Sequence, residues 1–350
     1  MKWQMWRVPT RIEKADPTRL AEAARIRALI DRLDGSISRA FMDAVDSLAG
    51  KVDLDAIKTL LEQGRVADAI HTVDQQLVMS GLRPLATGVT QAAIAAGIAA
   101  ADAIATSPGF DTLDVMFDVT NPGTVNFLRT YEMNRIREMT ADVLASVRAI
   151  INDGVLAGHN PLDIARDVRD LIGLTEQQSR AVLNFRRMLE NLDSDALLRE
   201  LRDRRFDPTI ERAIAQQIDL TPEQIDRMVQ RYADRYLKYR SETIARTESI
   251  RAVSAGNHLA WKQAAEDGKV DADAVVRLWV YTHDGKTRPA HIAIPSMNPD
   301  GVGLDEAFDS PLGPIMYPGD PDADIANTAN CRCAVVYRAM PSAAQPEPQS

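Results

Sequence analysis

Apolar residues return at helical spacing over most of this chain, and polar punctuation divides them into long segments. From residue 17 to 48 the apolar positions follow three- and four-residue steps, interrupted by Gly35, and further helical stretches are expected at 54–63 and 67–79. Gly81 and Pro84 then punctuate the pattern; an Ala-rich helix should run from there to about Thr106 and end at Ser107-Pro108-Gly109. Residues 111–119 alternate over a short span that fits either a strand or a loop. Asn121-Pro122 offers a cap followed by proline at the first helical position, and Leu128, Ile136, Met139, Val143, Val147 and Ile150 share one face until Gly154 and Gly158. Asn160-Pro161 repeats that start for a helix whose inner face is Ile164, Val168 and Ile172. Thr175-Glu176-Gln177-Gln178 and Thr221-Pro222-Glu223-Gln224 are capping boxes, each with a hydroxyl and an amide able to satisfy the first free backbone groups of a helix. A short helix is expected at 193–201 between them.

The second box opens the longest periodic segment. Ile225, Val229, Tyr232, Tyr236, Tyr239, Thr243, Arg246, Ile250 and Val253 alternate steps of four and three, a coiled-coil-like seam containing one charged residue, Arg246. Beyond Gly268 the texture changes to a strand at 275–282, loops rich in Pro, Gly, Asp and Asn, and a second strand at 331–338. The pattern predicts a mainly helical α+β protein: an extended helical scaffold followed by a small C-terminal α+β module with short strands and long loops. Consecutive regions are expected at 1–120 (N-terminal, helical), 121–220 (middle, helical) and 221–340 (long helix plus C-terminal module), with a disordered tail at 341–350.

Composition sharpens this in three places. Aromatic content is only 5%, while Ala, Leu and the charged helix formers are abundant, which favours helix over sheet. A formal net charge of -9 argues against indiscriminate coating of nucleic acid. Residues 186–251 hold fourteen Lys or Arg but also thirteen Asp or Glu, a near balance that reads as salt-bridged helix surface. The start, Met1-Lys2-Trp3-Gln4-Met5-Trp6-Arg7, lacks the apolar core of a secretory signal, and the Ala-dominated stretch 89–101 is too short and too weakly hydrophobic to span a bilayer. No membrane anchor is expected, and those small residues suit close helix packing.

The residues most able to bind metal lie near the C-terminus, where both cysteines and two of the five histidines are gathered. Cys331 and Cys333 on one strand would face the same side, and a disulfide between them would be strained. With His283 and His291, expected on a strand end and its following loop, they make a candidate zinc set. The favoured reading is nevertheless two packed thiols, because Cys-x-Cys is an uncommon ligand spacing and the strand becomes continuously apolar after it. No catalytic or cofactor-binding residue is assigned; a metal-assisted hydrolase using His283, Asp284, His291, Cys331 and Cys333 is the alternative. The helix pair 161–172 and 176–189 has a helix-turn-helix outline with Gln177, Gln178 and Arg180 near its second start, so a DNA-binding protein is a further alternative. Its helix entry lacks clustered Lys or Arg, which favours a packing unit. Glu242 lies one turn before Arg246 and should pair with it, while Glu248 should point away from the seam. Glu242, Arg246 and Glu248 are therefore read as a structural joint between scaffold and C-terminal module, with Arg246 more buried than Arg240. Asp320, Asp322 and Asp324 resemble half a calcium loop, but Ile325 and Cys331 stand where Gly and Glu are needed.

Ile244-Ala245-Arg246-Thr247-Glu248, Arg277-Leu278-Trp279-Val280, His283-Asp284, Arg288-Pro289-Ala290-His291, Pro318-Gly319-Asp320 and Asn330-Cys331-Arg332-Cys333 occur in an order that resembles the phage Mu F-like head morphogenesis (minor head protein) family. The resemblance is most specific over 239–337. It implies a non-catalytic minor head protein of a tailed phage or prophage, associated with the portal and other head components, with packaged DNA as a neighbour. It also implies a place in the host cytoplasm during assembly and then in the virion head. Many relatives place a His shortly before the Asn-Cys-Arg-Cys segment, where this chain has Thr328-Ala329. A toxin domain, which some related chains carry after this module, is not expected in the short tail after Arg338.

Overall fold

The computed structural model describes residues 17–106 and 114–339. The tail at 341–350, the first seven residues and Ser107-Pro108-Gly109 lie outside the described residues. In chain order the helices are α1 (Pro17–Ala49), α2 (Leu54–Glu62), α3 (Val66–His71), α4 (Gln75–Ala105), α5 (Pro122–Leu156), α6 (Pro161–Leu171), α7 (Glu176–Glu190), α8 (Asp207–Gln216), α9 (Pro222–Glu266), α10 (Pro289–Met297) and the one-turn α11 (Ile325–Thr328). Two strands, β1 (Val275–Val280) and β2 (Ala334–Ala339), pair antiparallel from Val275 opposite Ala339 to Val280 opposite Ala334. The molecule is therefore a mainly helical α+β protein.

The residues form two compact units assembled from separated segments: one from 38–86 and 133–242, the other from the described parts of 1–37, 87–132 and 243–350. The long helices α1, α4, α5 and α9 each contribute residues to both.

The first unit is entirely helical, apart from two 3-10 turns and the connections. Its helices start where the sequence places capping residues. The Asn160 side chain accepts from the Leu162 amide, and the capping boxes at Thr175/Gln178 and Thr221/Gln224 are both closed. Each such cap typically contributes about 1 kcal/mol. Aliphatic faces of α2, α5, α6 and α7 supply the core, with Ile57, Val147, Ile150, Ile164, Val168 and Val182 essentially inaccessible. Gly173 ends α6 with φ +94°, and a Cβ there would lie 2.6 Å from Val45, so both backbone and packing require glycine. The short helix expected at 193–201 is present as a 3-10 helix (Ser194–Leu198), and α8, for which the sequence pattern predicts no element, follows with proline in its first turn.

Helix α4, which contributes residues to both units, is longer than the punctuation implied. The helix runs through both Gly81 and Pro84. Gly81 is a packing glycine, since a Cβ there would meet Leu48 at 2.5 Å. By length and composition the stretch 66–105 passes as apolar enough to cross a membrane, but Ala96, Ala100, Ala101 and Ile104 are buried in the protein core with Ile250, Val253 and Trp261. The close packing anticipated for its small residues is real: a Cβ on Gly256 of α9 would lie 2.2 Å from the Ala93 carbonyl oxygen. The expected seam of α9 fails at Tyr239, which is half exposed, while Arg240 and Ser241 are buried. From Ala245 onward nearly every side of α9 is covered, so no single stripe describes it. The open question of residues 111–119 resolves to loop over the described part, held where Gln263 accepts from the Asp118 amide (2.8 Å) and donates to the Asp118 carbonyl (2.9 Å).

Candidate functional site

The histidine and the cysteines meet in the interior of the C-terminal residues. Arg288-Pro289 sets proline in the first turn of α10, so His291 rides on a helix rather than on the loop expected for it. Cys331 and Cys333 precede β2 instead of lying in it, yet the strand-like alternation survives, with Arg332 exposed between two buried thiols. Both sulfurs approach the Nδ1 atom of His291, Cys331 at 3.4 Å and Cys333 at 3.5 Å. The other ring nitrogen, Nε2, lies 2.9 Å from Oδ1 of buried Asn327 on α11, and the amide nitrogen of Asn327 faces the Ser310 hydroxyl at 3.3 Å. Trp279 of β1 presents its ring edge-on to His291, 5.5 Å between centroids. Arg27 of α1 donates to the carbonyls of Arg332, Val280 and Tyr281, holding its guanidinium beside the thiols.

His283 does not join them. It is exposed, its ring tilted against Tyr281. Asp284 is also exposed; its carboxylate accepts from the Lys286 amide and from Arg332, which hold it below the usual carboxylate range. The four-ligand set and the hydrolase constellation are therefore split by geometry into a buried triad and two solvent-facing residues.

The triad titrates as a coupled group. The Cys331 thiol is drawn toward its anion by hydrogen bonding from Cys333 and, against burial, by His291. Cys333 moves the opposite way, pushed up by burial and by its charged neighbour. Burial pulls His291 down, but hydrogen bonding and charge at Cys331 outweigh it and the net direction is upward.

The remaining motifs converge on one turn of α9. Glu248 and Arg251 are a buried ion pair (3.2 Å), with the Tyr131 hydroxyl donating to Glu248 and Arg251 donating to the Thr328 hydroxyl (3.4 Å). The Asn330 amide donates to the Thr247 hydroxyl (3.2 Å), and Gly319, at φ +81°, sits where a Cβ would strike the Arg251 backbone at 3.0 Å. Signatures about seventy to eighty residues apart thus meet at Thr247, Glu248 and Arg251. The expected pairing of Glu242 with Arg246 is corrected: Glu242 faces Lys238 at an exposed site, and Arg246, about one-third exposed, pairs with Asp34 at 3.6 Å. Glu248 points inward, not away, because this stretch of helix is covered on nearly all sides. Arg240 is the more buried arginine, paired with Asp142 at 2.9 Å.

Arg277 had no assigned role, although its side chain is fully buried. Its guanidinium donates to the carbonyls of Gly303 (2.9 Å), Met316 (2.7 Å) and Glu306 and packs over Phe308. An arginine inside a strand otherwise read as Val, Leu and Trp was the available signal. The acidic loop forms turns: Asp320 accepts from the Met316 and Asp322 amides, and Asp324 caps α11. In the α6–α7 pair, Arg180 is engaged by Glu176 and Asp153, and the adjoining 620 Å³ cleft is lined by Asp142 and Glu176 as well as Arg180 and Arg199. That mixed lining does not concentrate positive charge for a phosphate backbone.

Comparison with known proteins gives one match. The family model described as Phage Mu protein F like protein covers residues 145–336, which include the triad, Arg277 and the Glu248–Arg251 node. No curated protein and no solved structure matches the chain.

Proposed function

The chain belongs to the Phage Mu protein F like family, whose model spans more than half of it, and from that premise we propose that it is a non-catalytic minor head protein of a tailed phage or prophage. In this reading it associates with the portal and other head components, acts in head morphogenesis and genome delivery, and lies beside packaged DNA. It is made in the host cytoplasm and ends in the virion head. The family match is the observation that carries the reading. The arrangement of these short motifs agrees with it, since those around Glu248, Arg251 and Arg277 hold loops together. Polar residues spent on internal carbonyls and buried partners are not free for substrate.

Co-purification from phage-producing cells tests the assignment. Tagged chain should bring down portal protein, and purified heads should contain the chain in few copies. Heads that form and package normally while containing none of it would sink the proposal.

A further inference from the structure

Three soft donor atoms converge inside the C-terminal residues from two separate stretches of chain. His291 Nδ1 and the sulfurs of Cys331 and Cys333 all lie within 4.8 Å of one another, and all three residues are buried. We propose that they bind a thiophilic divalent metal ion, zinc foremost, which ties α10 to the segment entering β2.

The spacing is that of ligands around one ion. Zinc holds thiolate sulfur at about 2.3 Å and imidazole nitrogen at about 2.0–2.1 Å, so two tetrahedral neighbours of those types lie about 3.5 Å apart. The observed nitrogen-to-sulfur separations are 3.4 and 3.5 Å. Ordinary packing of two thiols on an imidazole does not require both contacts to share one nitrogen.

The surroundings are arranged for that nitrogen to be a lone-pair donor. The Asn327 amide nitrogen faces the Ser310 hydroxyl, which leaves Asn327 Oδ1 to accept from His291 Nε2–H. A neutral imidazole protonated at Nε2 has a bare Nδ1, and this is the outer-shell device that commonly orients a metal-ligating histidine. The Cys331 sulfur also has a fixed donor aimed at it, the Cys333 amide at 3.4 Å. Charge also balances: two thiolates neutralise one divalent cation, so the buried centre carries no net charge.

Three protein ligands leave one coordination position for water or a small anion. Asp284 and His283, which could have made a hydrolytic centre, face solvent instead. The ion is thus assigned a structural role, and binding contributes to folding.

Elemental analysis of the full chain, purified without chelator from zinc-replete cells, should give about one zinc per chain. Stripping the metal should lower the melting temperature, and zinc should restore it. Cobalt in its place should give the strong visible bands of a tetrahedral ion together with thiolate-to-cobalt charge transfer. Cys333→Ser should lose the metal, whereas His283→Ala should keep it in full. Where a cysteine variant fails to fold, the cobalt spectrum of the unaltered chain decides. A folded chain that contains no metal, takes up none from excess zinc or cobalt and melts alike with and without chelator would overturn the site and leave packed thiols in its place.

Discussion

The helical unit, 38–86 with 133–242, and the C-terminal stretch 243–339 of the other unit hold themselves together by different means. In the helical unit the backbone satisfies its own hydrogen bonds, so side chains are needed only at the caps, and the core is largely aliphatic. Many of its ion pairs, such as Lys58–Glu62, Arg166–Asp163 and Arg231–Asp234, are exposed and worth about 0–1 kcal/mol each. After α9 the regular structure thins to two six-residue strands and short helices. Irregular backbone in an interior leaves carbonyls without partners, and polar side chains supply the donors: buried Arg277 to Gly303, Met316 and Glu306, and half-buried Arg288 to Ala329. Where secondary structure is abundant, stability follows apolar area; where it is scarce, stability depends on a few polar side chains.

The largest expected effect tests that contrast directly. Arg277→Leu keeps an apolar stem but strips donors from the three carbonyls, each costing about 1–3 kcal/mol when left unpaired, for a loss on the order of 5 kcal/mol. Ile57→Val in the helical unit should cost about 0.5–1.5 kcal/mol. Urea unfolding of both variants gives the comparison, and equal midpoint shifts would break it.

Asp167 sharpens the other side. Burial raises its carboxyl to about 6, against partial relief from Arg186. Its folded value lies above the unfolded one, so the protonated form is favoured in the native state, and stability is lost as pH rises from about 4 through 6. Asp167→Asn should abolish that fall and stabilise the chain at pH 7 by on the order of 1–3 kcal/mol. Melting measured across this range is the readout; an unchanged pH slope would show that Asp167 stays ionised.

The smallest effect separates two arginines on α9. Arg240→Ala should cost about 1–2 kcal/mol, moderated because its partner Asp142 is half exposed and can rehydrate. Arg246→Ala, at a more open pair with Asp34, should cost less than about 1 kcal/mol. Thermal unfolding with the reverse order would mean that burial is a poor guide along this helix.

The long helices were legible because their signals are local. Asn121-Pro122, Asn160-Pro161, Thr175 with Gln178 and Thr221 with Gln224 each act within four residues, and the structure uses them. What misled was residue type without partner. Gly81 looks like a break but is a contact with Leu48, and Pro289 falls in a stretch read as loop but opens α10. The cluster was half legible: Cys331, Cys333 and His291 were named together, while His283 was included because sequence cannot say which way a chain turns after β1. Arg277 and Arg251 were missed as interior donors, since the carbonyls and hydroxyls that need them come from 303–328, far along the chain.

The segmented make-up of the two units governs the order in which the chain can mature. It passes between units four times, at 37/38, 86/87, 132/133 and 242/243. On a ribosome, residues 17–37 and 87–132 emerge long before 243–339, so Ile104 and Ala100 wait unsheltered for Ile250, Val253 and Trp261. Contacts of such long sequence separation close slowly, and a nascent chain in that interval is exposed to aggregation and in need of chaperone cover. A fragment trimmed to the family-matched residues 145–336 would leave out α1 and α4 altogether and carry the C-terminal core with one wall missing.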